Sequence, residues 1–212
     1  MTEQYAEDNK TIWTLGHSNH PPAEFLQLIK KYQIQTVIDV RSKPYSGHVP
    51  HFNRKPLEQF LKTSGVAYLF LGHLVGGTPD EEEFYDEEGF VLYEVLAQSA
   101  RFQRGMKEIL DNLRETHAAI LCGEADPTNC HRRLLIGRVL EGEGVSVFHI
   151  HADGRVQPES ELAEEEEFRR TGGQLSLFDD QEKKAWKSAQ SVSQKKPHGN
   201  FSKPSEKRES KT

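Results

Sequence analysis

Residues 117–150 read HAAILCGEADPTNCHRRLLIGRVLEGEGVSVFHI. An apolar run ends in Cys122-Gly123-Glu124, a segment with apolar residues at Leu135, Ile136, Val139 and Leu140 follows, and a second apolar run closes at Ile150. That order predicts strand, helix, strand. Both strand segments are nearly unbroken apolar runs rather than alternating ones, as expected of strands covered on both faces in a parallel sheet.

The same unit recurs upstream. TIWTLGHSN leads through a loop into the helix-like PPAEFLQLIKKY, and TVIDVRS leads through KPYSGHVPHFNRK into PLEQFLKTS. VAYLFLGHLVGG reads as a further strand running into glycines, and Val91 to about Thr116 reads as one long helical region. Alternation of this kind predicts a three-layer α/β/α domain over residues 11–156, with a mostly parallel sheet of about five strands. Beyond it, residues 157–170 predict an acidic helix, and residues 171–212 a disordered tail.

Composition agrees with a domain plus appendages: 35% of the 212 residues are hydrophobic and 28% charged. The net charge of −6 divides into −12 over residues 1–180 (18 basic, 30 acidic) and +6 over residues 181–212 (9 basic, 3 acidic). The acidic domain argues against a broad DNA-coating surface, whereas the basic tail, with Trp186 and Phe201, can meet phosphates and bases. No run reaches the ~18 apolar residues of a membrane span, and MTEQYAEDNK lacks the plan of a secretory signal, so a cytoplasmic protein with no membrane partner is expected. Cys122 and Cys130, the two cysteines, match neither a disulfide scaffold nor the usual four-ligand zinc spacing, and no metal or cofactor is expected.

Ligands of open α/β sheets gather beyond the carboxyl ends of the strands. The polar residues that fall there are His17, Ser18 and Asn19; Asp39 and Arg41, with Ser46 and Asn53 downstream; and Glu124 with Cys130, His131, Arg132 and Arg133. Asp126-Pro127 fits an N-cap and first helical residue, which puts Arg132 in the middle of the Leu135/Ile136/Val139 stripe and His131 at its border. A buried guanidinium needs a partner. Asp39 or Glu124 can supply one, or Arg132, Arg41 and the helix amino terminus can together bind phosphate. Glu124 or Asp39 suits a nucleophile or base, although strand-end carboxylates also serve as caps. Cys122 reads as a small core residue, and Cys130 points away from the stripe. His17 suits a base or ligand donor, and the loop carrying Tyr45, Ser46 and His48 is long enough to close over a ligand.

At these residues the chain resembles the bacterial family called domain of unknown function 488. The matching pieces are TLGHS at Thr14–Ser18, DVRSKPYS at Asp39–Ser46, FN at Phe52-Asn53, LGHLVGG at Leu71–Gly77, LCGEADPTNCHR at Leu121–Arg132 and HIHADG at His149–Gly154. The resemblance implies an α/β domain whose recurrent polar residues map onto His17, Ser18, Asp39, Arg41, Ser46, Asn53, Cys122, Glu124, Cys130, His131 and Arg132. It implies no reaction.

Gln174-Leu175-Ser176-Leu177-Phe178 resembles the peptide with which bacterial replication and repair proteins dock on the DNA sliding clamp. Three apolar anchors in a polar tail suit a hydrophobic pocket on a partner, or a latch back onto the domain. Together these features predict a DNA- or nucleotide-processing enzyme recruited through the clamp, cleaving an N-glycosidic or phosphoester bond. Glu124, Asp39 and His131 would be catalytic, and His17, Ser18, Arg41, Ser46, Asn53 and Arg132 would bind substrate. Two alternatives stand beside it: a noncatalytic nucleotide or nucleic-acid binding module tethered to the clamp, and a cysteine-dependent redox or sulfur-transfer enzyme.

Overall fold

The computed structural model describes residues 10–172 and 185–192. Six strands form one sheet: β1 (Thr11–Gly16), β2 (Thr36–Asp39), β3 (Ala67–Phe70), β4 (Ala118–Cys122), β5 (Ser146–Ile150) and β6 (Val156–Pro158), in the order β3-β2-β4-β1-β5-β6. The first five are mutually parallel and β6 runs antiparallel to β5. This is the expected α/β architecture with one strand more than the five anticipated. The extra strand returns along β5 through a tight turn whose Gly154 has φ +76°.

Alternation along β4 divides the core. Ala118 and Ile120 face one apolar cluster, Ala119 and Leu121 the other. Helices α1 (Pro22–Lys31) and α2 (Arg54–Thr63) cover the second face, through Phe25, Ile29, Leu57 and Leu61. The first face is covered by α3 (Gly72–Val75), α4 (Tyr93–Gln98), α5 (Ala100–Leu113), a π-helical turn (Arg132–Gly137) and α6 (Arg138–Gly142). The chain therefore leaves β1 and β2 toward one face and β3 and β4 toward the other. At the carboxyl edge, the loop after β4 diverges from those of both its neighbours, the position at which α/β sheets collect ligands.

Several segments differ from the sequence expectation. The region from Val91 to Thr116 is two helices, because Ser99 breaks the first and caps the second, accepting a hydrogen bond from the Phe102 amide at 3.3 Å. LGHLVGG is not strand but the short helix α3. Asp126 does not cap a helix: its Oδ1 accepts from the amide and the hydroxyl of Thr128, both at 2.8 Å, in a local turn, and helical structure begins only at His131.

The acidic segment forms α7 (Glu159–Thr171). It is pinned to the sheet by a buried network: Thr14 Oγ1 donates to His149 Nδ1 (2.7 Å), His149 Nε2 donates to Glu159 (2.7 Å), and Arg133 pairs with Glu159 and Glu166. Residues 185–192, expected within a disordered tail, lie along the 89–94 segment. Ser188 N donates to Val91 O (2.9 Å), Trp186 Nε1 donates to Leu134 O in the π turn (2.7 Å), and Arg138 stacks on the Trp186 ring. An indole that meets both a carbonyl and a cation repays the ordering of a short segment. The expected clamp peptide, Gln174–Phe178, lies outside the described residues.

Candidate functional site

The polar residues at the carboxyl edge form two clusters, one on each side of the sheet. On the α1/α2 side, Asp39 is fully buried and shares its strand face with Val37. Its Oδ1 accepts from Arg41 Nε (2.9 Å) and the Arg41 amide (3.1 Å). Its Oδ2 accepts from Arg41 Nη2 (2.6 Å) and the Tyr68 hydroxyl (2.6 Å). Burial and this carboxylate push the Tyr68 phenol up, so it stays a donor. Burial alone would lower the Arg41 guanidinium, but the Asp39 hydrogen bonds outweigh it and hold the value above its ordinary range.

Arg41 Nη1 then reaches His17 Nε2 at 2.9 Å, and His17 Nδ1 lies 2.9 Å from Ser18 O. Guanidinium only donates and carbonyl only accepts, so the ring is the neutral Nδ1–H form. Burial lowers the His17 pKa, and the Arg41 charge adds to that. The imidazole stacks on Phe52 with centroids 4.4 Å apart. Ser18 has φ +43° and donates its amide to Gly123 O at 3.0 Å. Ser46 and Asn53 bond to each other in the loop after β2 whose Phe52 packs on His17. The Ser46 amide donates to Asn53 Oδ1 (2.6 Å) and its hydroxyl accepts from the amides of His48 and Val49, which shapes the 42–53 loop.

On the other side of the sheet stand Cys122, Cys130 and His131. Cys122, at the end of β4, shares the face of Ile120. The chain then turns through Pro127 (Cys130 N donates to Pro127 O, 3.1 Å) and delivers Cys130 and His131 back against it. His131 Nδ1 lies 3.7 Å from Cys122 Sγ and 4.0 Å from Cys130 Sγ, and the three atoms are all within 4.8 Å of one another. His131 Nε2 donates to Val40 O at 3.1 Å. Both cysteines are buried and free.

The electrostatics of the trio are coupled. A hydrogen bond from Cys130 holds the Cys122 thiol well below its ordinary value, and His131 and Arg132 work in the same direction against burial. The same bond, together with burial, pushes Cys130 well above its own. Burial would lower His131, but the facing Cys122 thiolate raises it. The two thiols are thus pushed in opposite directions, with Cys122 the more acidic of the pair.

Arg132 is fully buried, as its place in the apolar stripe implies, but neither Asp39 nor Glu124 pairs with it. Its Nη1 donates to Glu124 O and its Nη2 to Ala125 O (2.9 Å), with Nε unpartnered. The loop after β4 turns two carbonyls inward, and these take up Nη1 and Nη2 of the cation. The Glu124 side chain is exposed, and among the described residues its carboxylate makes no hydrogen bond or ion pair. Glycines allow these approaches. A Cβ on Gly16 would sit 1.6 Å from Glu124 O, and one on Gly77 would sit 2.5 Å from His131 Cγ.

Of the residues expected to be catalytic, His131 stands beside two cysteine sulfurs, Asp39 in an ion pair with Arg41, and Glu124 is exposed. Cys122 and Cys130, read from the sequence as a small core residue and an outward thiol and kept only in the cysteine-dependent alternative, complete the cluster. Extending 100° per residue back through Cys130 failed because the helix starts at His131. Tyr68 and the Val40 carbonyl carry no sequence signal, since their roles depend on strand neighbours.

A family model described as "Domain of unknown function DUF488" matches residues 21–139, a span that holds Asp39, Arg41, Cys122, Cys130, His131 and Arg132. No curated protein and no solved structure matches the chain.

Proposed function

This chain belongs to the family described as Domain of unknown function DUF488; because that description names no reaction, we propose from the geometry that it is an enzyme whose chemistry is carried by Cys122, Cys130 and His131. The carrying observation is the convergence of two sulfurs and an imidazole nitrogen within 4.8 Å at the carboxyl end of the central strand β4. The carboxylates are less suited. Asp39 already accepts four hydrogen bonds, and Glu124 is exposed. The cysteine-dependent reading is therefore favoured over cleavage by Glu124 or Asp39, and over a noncatalytic binding module.

The substrate class is a nucleotide or nucleic acid, and the partner is the bacterial sliding clamp. Support comes from the Gln174–Phe178 peptide, whose Leu175, Leu177 and Phe178 suit an apolar pocket on a partner, and from the basic segment that follows. Two free cysteines support a reducing compartment, the cytoplasm, as the place of work. No helix among the described residues is long and apolar enough to cross a membrane.

The test is turnover by the full chain on a panel of nucleotides and single- and double-stranded DNA. Product from wild type and Glu124→Gln, with about a hundredfold loss or more in Cys122→Ser, is expected. Loss in Glu124→Gln with Cys122→Ser unaffected would return the chemistry to the carboxylates. No product from wild type on any substrate would leave a binding module. Clamp recruitment is checked separately: pull-down of the clamp by wild type should be lost in Phe178→Ala.

A further inference from the structure

Resting on the reading that this cluster is the working centre, we propose that Cys122 Sγ, Cys130 Sγ and His131 Nδ1 are three ligands of a zinc ion whose fourth position is filled by no histidine, cysteine or carboxylate among the described residues.

The spacing fits. Zinc binds thiolate at about 2.3 Å and imidazole at about 2.0–2.1 Å in a tetrahedron, which puts neighbouring ligand atoms about 3.6–3.8 Å apart. His131 Nδ1 stands 3.7 Å and 4.0 Å from the two sulfurs, and no pair of the three exceeds 4.8 Å. Movements of a few tenths of an ångström in the His131 contacts, and at most about an ångström between the sulfurs, complete one face of the tetrahedron. Among the described residues this is the one such group of histidine, cysteine and carboxylate ligands.

The ring is also oriented for a metal. Val40 O is an acceptor, so Nε2 carries the hydrogen facing it, and a neutral His131 turns its Nδ1 lone pair toward the sulfurs. A second ring nitrogen tied to a backbone carbonyl is the outer contact that metal-bound histidines make. Gly77 packs under the ring where no Cβ fits, which fixes its position further. Two thiolates and an imidazole match the borderline-soft zinc ion and suit calcium or magnesium poorly. Charge agrees: buried side by side, two thiolates repel, and one divalent cation neutralises both.

Three protein ligands with one open position is the arrangement of catalytic zinc, whereas structural zinc takes four. In the open position a zinc-bound water is acidified toward neutrality. Such a centre suits hydrolytic attack on a nucleotide or nucleobase and needs no carboxylate nucleophile. The spacing Cys122-x7-Cys130-His131 conceals the site in the sequence, because adjacent residues rarely ligate together. Here the turn at Pro127 and the helix start at His131 bring them to one side.

The experiment measures metal on the full chain grown with zinc and purified without chelator. About one zinc per chain is expected in wild type and Glu124→Gln, falling at least tenfold in Cys122→Ser and in Cys130→Ser, with circular dichroism showing each variant folded. Cobalt replacing zinc should give a thiolate-to-cobalt charge-transfer band and the intense visible bands of a tetrahedral site, absent in both variants. Wild type that holds no more zinc or cobalt than Cys122→Ser overturns the site, as does a chain isolated metal-free with a Cys122–Cys130 disulfide. Either result leaves the enzymatic reading standing if Cys122→Ser abolishes turnover. Metal bound normally while Cys122→Ser and wild type turn over equally removes that reading instead.

Discussion

At the scale of single residues, Arg132 shows how a buried guanidinium can be hydrogen-bonded by backbone carbonyls rather than by a carboxylate. Two of its three guanidinium nitrogens hold the carbonyls of Glu124 and Ala125, and so fix the loop that leads from Cys122 to Cys130. Arg132→Met keeps the volume and strands both carbonyls. A loss of about 3 kcal/mol in urea unfolding is expected, and a loss under about 1 kcal/mol would contradict the role. Gly77→Ala pushes a methyl into the His131 ring. The fold should survive in far-ultraviolet circular dichroism while zinc affinity drops about tenfold; unchanged affinity would mean the ring is not held from that side. The burial of Arg132 was readable from helical periodicity because Leu135, Ile136 and Val139 define the stripe. Its partner was not, because carbonyl orientation in a loop leaves no mark in residue identity. Cys130 was misread for a related reason: whether a helix begins at Pro127 or His131 depends on how Asp126 spends its carboxylate.

At the scale of elements, two attachments set what the domain can do. The first is α7, joined to β1, β5 and the π turn through Thr14, His149, Glu159 and Arg133. Burial lowers the His149 pKa below its ordinary 6.5, and it would raise that of Glu159, but hydrogen bonds from His149 and Arg133 hold Glu159 below its ordinary 4.5. Both folded values lie below the unfolded ones. As pH falls below 6.5 the unfolded chain takes up protons first, so the stability from His149 is whole above that pH and drains below it, and the Glu159 share follows below 4.5. Urea unfolding of wild type should therefore lose more stability between pH 7 and pH 5 than His149→Gln, and parallel losses would refute the assignment. The second attachment is residues 185–192. Trp186→Ala removes the bond to Leu134 O and the Arg138 stack. It should expose this segment to limited proteolysis at a cost of about 1–2 kcal/mol, and unchanged proteolysis would mean the segment is held elsewhere. The acidic run was plain in the sequence as a helix former. The docking of 185–192 was not, because a short polar segment with one tryptophan reads the same whether it is free or bound.

At the scale of the whole molecule, the α/β architecture was legible because it rests on the coarsest signal, unbroken apolar strands alternating with amphipathic helices. The antiparallel β6 escaped because three residues around a proline carry no periodicity. The site was legible in location, at the carboxyl edge, but not in composition. Which polar residues share a face depends on strand order, and β4 lies between β2 and β1 only in the folded sheet. That order puts Asp39 and Cys122 on opposite faces of the sheet, while Cys122 stays close enough to act on the charges of His17 and Arg41. The most direct test of the convergence of Cys122 and Cys130 is titration of the reduced, chelator-treated full chain with phenylarsine oxide, an arsenical that bridges two neighbouring thiols. One reagent taken up per chain, with both cysteines blocked together and uptake lost in Cys122→Ser and in Cys130→Ser, is the result predicted. Uptake that is absent, or that persists when either cysteine is replaced, would mean that the two sulfurs do not meet.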